Sequence, residues 1–302
     1  MIRNSAPGSS RELLRNHAHA LDRLELVSRT PGSIPGVGRR RGSRTGSSVD
    51  FADYRKYNSG DDVRYVDWNI YARLRKLFLR QFRAESELAV HLLLDTSNSM
   101  DFGARNKLRF AADLAAALSY VALGRQDRVG LATFSDRLHH VLPPQRGSRH
   151  LPRILSLLES ARAAGPSDLE HAFRAYPARA SNRGLLVVLS DCFCAQGYQT
   201  ALRCLAFAGF EVVVIRVLAE EELFPSFDEE AVELRDLEDA GAPGLTVGHE
   251  ALERYRREMD THSRTLAAFC SSQGVPFVQT TSSLTFEELT YRLLRAGIWR
   301  NR

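Results

Sequence analysis

Lysine is scarce in this 302-residue chain: among 41 basic side chains only Lys56, Lys76 and Lys107 are lysines, so arginine carries nearly all the positive charge. Cysteine is sparse too. Cys192, Cys194, Cys204 and Cys270 are too few and too clustered for a disulfide framework, and reduced thiols are expected. The Cys192/Cys194 pair has no second pair and no clustered His to complete a zinc site. No apolar run approaches the ~20 residues that a membrane helix needs, and the first ten residues lack the apolar stretch of a secretory signal. A cytoplasmic location without a membrane span is therefore expected. A Gly-x-x-x-x-Gly-Lys-[Ser/Thr] loop is missing, which removes a Walker-type nucleotide site. So is the Gly-x-Ser-x-Gly elbow of serine hydrolases.

The composition, 44% hydrophobic and 25% charged, is that of a soluble globular protein long enough to bury a substantial core. A net charge of +5 implies mild attraction to acidic partners. The basic excess gathers early, at Arg39, Arg40, Arg41 and Arg44 within the Gly/Ser-rich stretch 36–48. That stretch has no interleaved aromatics to stack on bases, so it reads as a solvated loop and nucleic acid is not expected as a partner.

Periodicity divides the chain. Leu13, Leu14, Leu21, Leu24 and Val27 recur at helical spacing, predicting an amphipathic helix over 9–29, stopped by Thr30-Pro31-Gly32. From Phe51 to Arg83 the pattern is short and mixed, ending in a strand-like 77–82. Asp61, Asp62, Arg64, Asp67 and Arg73 around Trp68 could serve as catalytic carboxylates or a docking surface, but the favoured reading is that Arg64 and Arg73 pair with the acids to fix a loop. Beyond residue 84, apolar strands at 88–94, 129–134, 185–189, 211–217 and 276–279 alternate with helices at 106–123, 148–161, 169–176, 199–208, 250–272 and 286–296. A strand at 138–142, reached from its predecessor by a tight turn at Ser135-Asp136, must run antiparallel. Residues 224–248 predict an irregular excursion with short strands. The expected fold is α/β: a doubly wound, mostly parallel sheet with helices on both faces and one antiparallel edge strand. An N-terminal region 1–84 precedes a domain 85–302.

Chemistry concentrates where strands end. Asp95-Thr96-Ser97-Asn98-Ser99 closes the run 88–94 and places a carboxylate and two hydroxyls on one bend. Asp191 closes the run 185–189 in the same way, and Ser167 sits between the breakers Gly165-Pro166 and a helix start. Ligands of parallel sheets collect at the carboxyl ends of strands. Few charges with many neutral oxygens suit a hard cation such as Mg²⁺ that leaves a coordination position open.

The set Asp95, Ser97, Ser99, Ser167 and Asp191 resembles the metal-ion-dependent adhesion site of a von Willebrand factor type A domain. Upstream, Phe51-Ala52-Asp53-Tyr54-Arg55, then Gly60-Asp61-Asp62-Val63-Arg64-Tyr65-Val66-Asp67-Trp68 and Ala72-Arg73, resembles the signature of the bacterial family catalogued as domain of unknown function 58. The two differ from their patterns at Ser167, where Thr is usual, and at Arg39-Arg40-Arg41-Gly42-Ser43, which lacks a His beside the Arg. The resemblance implies that the five residues bind Mg²⁺ (or Mn²⁺ or Ca²⁺) and that the ion takes an Asp or Glu from a protein partner. It also implies an adaptor or co-chaperone working with a MoxR-type AAA+ ATPase rather than an enzyme. The alternative is a metal-dependent phosphoester hydrolase. Against it, Ser97 stands where phosphatases with a nucleophilic Asp carry a second Asp, and no base sits at a telling position.

Overall fold

The computed structural model describes residues 10–28, 49–58, 61–84, 88–180, 182–193, 197–225, 232–234, 245–247 and 249–301. The Arg39–Arg44 stretch, Thr30-Pro31-Gly32 and Cys194 lie outside them. The chain forms two compact units, one of residues 36–87 and one of residues 1–35 with 88–302.

The large unit begins with α1 (Ser10–Leu21), which stops eight residues short of the expected end. Leu24–Leu26 is instead a strand, β1, paired antiparallel with the last strand of the chain, Trp299–Asn301. Neither three-residue strand is long enough to announce itself by periodicity. Leu14, Leu21 and Leu24 enter the main core, so this segment belongs with the large unit and not, as expected, with an N-terminal region ending at residue 84.

In the small unit, β2 (Val49–Lys56) and β3 (Phe78–Ala84) pair antiparallel, with a register shift between Phe51 and Asp53. A 3₁₀ turn (Val63–Tyr65) and α2 (Trp68–Leu74) lie between them. The acids fix this loop. Asp67 caps α2 by accepting the Asn69 and Ile70 N–H groups and the Tyr54 hydroxyl. Asp62 pairs with Arg64 at 2.6 Å, and Asp61 pairs at 2.9 Å with Arg55, an arginine outside the expected cluster.

The six-stranded sheet is built from β4 (Ala89–Asp95), β5 (Arg128–Phe134), β6 (Leu138–Gln145), β7 (Leu185–Ser190), β8 (Glu211–Leu218) and a strand at Phe277–Thr281. All seven residues of β4 are buried and all six of β7, as continuous apolar runs covered on both faces must be. Between these strands run α3 (Lys107–Gly124), α4 (Leu151–Ser160), α5 (Leu169–Arg179) and α6 (Tyr198–Phe207). Caps match the expected starts: Asn106 accepts the Arg109 N–H, and Asp168 accepts the His171 N–H. Then come α7 (Glu220–Leu223), β9 (Val232–Leu234), β10 (Leu245–Val247), α8 (His249–Ser272), β11 (Phe277–Thr281), α9 (Phe286–Arg295) and β12 (Trp299–Asn301).

The strand order is β11-β8-β7-β4-β5-β6, parallel throughout except for the edge strand β6. One core cluster joins α1, α3, α4 and α9 to one face of the sheet, and a second joins α5, α6 and α8 to the other. From β4 the chain moves outward to β5 and β6, then returns to the other side of β4 to form β7, β8 and β11. The order therefore reverses between β4 and β7. No described helix is long and apolar enough to cross a membrane.

Candidate metal centre

Loops leaving adjacent parallel strands toward opposite faces open a crevice, and ligands of open α/β sheets bind there. Asp95 is the last residue of β4, whose chain continues to α3 on one face. Asp191 follows β7, whose chain continues to α6 on the other. Both carboxyls are fully buried. The fold thus brings two acids that are far apart in sequence to the one reversal in its sheet.

Asp95 Oδ1 accepts the Ser97 N–H (2.9 Å) and the Ser97 hydroxyl (2.7 Å), and Ser97 Oγ lies 3.1 Å from Ser99 Oγ. Asp95 Oδ2 accepts the Ser190 hydroxyl at 2.6 Å. Sequence reasoning missed Ser190. Its signal was its place as the last strand residue before an acid already under suspicion. The Ser167 loop is strapped to this bend through backbone, Asn98 N–H donating to Gly165 C=O and Ala164 N–H to Thr96 C=O, and to the residue just past the end of β5 by Asp168 N–H donating to Ser135 C=O. Ser167 is half-buried within that strap. The structure therefore joins Asp95, Ser97 and Ser99 by direct contact. It sets Asp191 close enough to act on Asp95 by charge, and ties Ser167 to the bend only through its loop.

Burial, with the Asp191 charge adding to it, pushes the Asp95 carboxyl up to about 7, against the opposing hydrogen bonds from Ser190 and Ser97. Without a nearby cation, ionised Asp95 is therefore unfavourable.

Asp191 meets cations that the sequence reading did not foresee. Its Oδ2 accepts from Lys107 Nζ at 2.8 Å, and the same ammonium donates to Glu222 Oε1 at 2.6 Å. Lys107 has no exposed side-chain surface at all. Asp191 Oδ1 accepts the Phe193 N–H, and the Asp191 carbonyl accepts the buried Arg216 guanidinium at 2.8 Å. Burial raises Glu222 and lowers Arg216 from their ordinary values. Signals for these existed: a lone lysine opening an alanine-rich helix, and an arginine inside the apolar strand 211–218.

Among the described residues no three His, Cys, Asp or Glu side chains gather as a metal-ligand group. The candidate set is instead two carboxylates with neutral hydroxyls. This donor chemistry fits Mg²⁺, which retains waters and tolerates few protein charges, and does not fit soft metals. Asp95 fits as the group that needs the ion. Asp191, both of whose oxygens already have partners, fits a supporting position.

The chain resembles proteins that are themselves uncharacterized. Relatives from Mycobacterium bovis and from two strains of Mycobacterium tuberculosis are 28% identical over 269 residues, covering 86% of this chain and 83% of theirs. Among solved structures, the conserved hypothetical protein BatB of Bacteroides thetaiotaomicron superposes with a TM-score of 0.45 and 16% identity, covering 69% of this chain and 98% of that one. An aerotolerance-related membrane protein from Bacteroides fragilis gives a TM-score of 0.45 at 17% identity, covering 69% of this chain and 99% of that one. The family described as "Protein of unknown function DUF58" matches residues 53–265, and this chain belongs to it.

Proposed function

We propose that this protein is a cytoplasmic, metal-dependent protein-interaction module of the von Willebrand factor type A kind, and not an enzyme. The observation that carries this reading is the buried Asp95 at the sheet's point of reversal, hydrogen-bonded to Ser97 and Ser190 and held near neutrality by its burial. Asp95, Ser97 and Ser99 would hold Mg²⁺, with Ser167 and Asp191 supporting. The bound ion supplies a positive centre with an open position for an Asp or Glu of the partner. The partner we favour is a MoxR-type AAA+ ATPase, for which the resemblance of the 51–73 segment is the support.

The experiment is affinity capture from cells of the source organism with the wild type and Asp95→Ala in parallel, with and without chelator. The expected result is a partner lost both on substitution and on chelation. A partner set indifferent to both would sink the reading. Turnover of an aryl phosphate with Mg²⁺ or Mn²⁺ that disappears in Asp95→Ala would replace it with the hydrolase.

A further inference from the structure

The buried ammonium of Lys107 has no part in the ligand set. Lysine is also the residue this chain otherwise avoids, since arginine supplies all but three of its basic side chains. An ammonium taken wholly out of water is costly unless paired. Lys107 is paired twice, with Asp191 at 2.8 Å and Glu222 at 2.6 Å. Glu222 is itself held in place, its second oxygen accepting the Ala219 N–H at 2.7 Å.

The fixed charges behind the crevice can be counted. In the form that takes up a cation, with Asp95 ionised, Asp95, Asp191 and Glu222 bring three negative charges, and Lys107 and Arg216 bring two positive ones. One negative charge remains. A divalent ion turns that into one positive charge, in surroundings where a net charge is poorly solvated. One monovalent anion from outside then restores neutrality. Without Lys107 the same ion would already be neutralised, and no visitor would be called for.

We propose that Lys107 is the residue that makes the site demand a carboxylate: by neutralising Asp191 and Glu222 it leaves the bound cation one charge short of balance. It is a positioning residue acting through Asp191, and it weakens the protein's own hold on the ion in exchange for affinity toward an anionic partner group. The inference rests on the metal-binding reading above.

The test measures Mn²⁺ affinity by electron paramagnetic resonance at a pH near 8, with acetate as the carboxylate probe and chloride as control. Four proteins are compared: wild type, Lys107→Met, Glu222→Gln and the double variant. In the wild type, acetate tightens Mn²⁺ binding, because coupling between two ligands is reciprocal. Lys107→Met is expected to bind Mn²⁺ roughly tenfold or more tightly and to lose the acetate effect, since one unit charge at close range in a low-dielectric site is worth at least that much. Glu222→Gln removes a negative charge instead, so Mn²⁺ binding weakens and the acetate effect grows. The double variant has the wild-type net charge and returns toward wild-type behaviour.

Opposite shifts in the two single variants separate this idea from mere damage to the fold, which would weaken both. If Lys107→Met does not fold, Glu222→Gln and the double variant still decide the matter. Single variants that shift in the same direction, or not at all, overturn the role of Lys107. A wild type that binds no Mn²⁺ overturns the metal-site reading itself, a distinct result.

Discussion

Asp95 is the residue on which the site's pH behaviour turns. Its carboxyl is raised from an ordinary 3.8 to about 7, chiefly by burial, so the folded, metal-free protein holds this proton more tightly than the unfolded chain does. The associated stability is fully present below about pH 4 and is lost as pH rises through 7. A divalent ion binds the ionised form, so its affinity should fall about tenfold per pH unit below 7 and level off above it. The thermal stabilisation by Mg²⁺ should accordingly be larger near pH 8 than near pH 6. Flat Mg²⁺ affinity across that interval would show that Asp95 is not the carboxyl facing the ion. The residues themselves were partly legible: an acid that ends a buried apolar run has few structural excuses. Lys107 and Ser190 left only faint local signals and Glu222 none, because what matters about each is a partner far away in sequence, which a local pattern does not name.

Between elements, the contact that sets the site's width is the pairing of β4 with β7, in register from Val90↔Leu185 to Leu94↔Leu189. Gly184 stands at the entry to β7, where an added Cβ would lie 2.1 Å from the Ala89 carbonyl oxygen. No rotamer change relieves that clash, because both atoms belong to backbone or its first substituent. Gly184→Ala must therefore push apart the two strands whose far ends carry Asp95 and Asp191. The expected cost is about 1–3 kcal/mol or more, the range of overpacked cores, with weaker Mg²⁺ binding alongside. Urea unfolding checks the first and calorimetric titration the second, and a wild-type midpoint would refute the close approach. The long apolar strands could be found from sequence because burial on both faces leaves a continuous run. The β1–β12 pair could not: each strand is three residues long and exists only because the other end of the chain lies beside it.

At the scale of the molecule, charge and core are divided between the two units. Residues 36–87 contain twelve of the 41 basic side chains and seven of the 36 acidic ones, leaving 29 of each elsewhere. The whole net charge of +5 thus belongs to the small unit, while the unit that carries Asp95 and Asp191 is neutral overall. Among the described residues, neither large hydrophobic cluster draws one from 36–87. A unit with its own core folds by itself, so replacing 36–87 with a flexible Gly/Ser linker should leave the six-stranded sheet intact. The excised protein is expected to keep its melting temperature within a few degrees and its Mg²⁺ affinity within about threefold, a change of less than 1 kcal/mol. It should also lose retention on a cation-exchange resin, because the remaining charges balance. Aggregation or lost Mg²⁺ binding after excision would mean that the small unit completes the large one. Intact Mg²⁺ binding with the captured partner gone would place partner choice in the basic unit and leave the metal as the shared point of attachment.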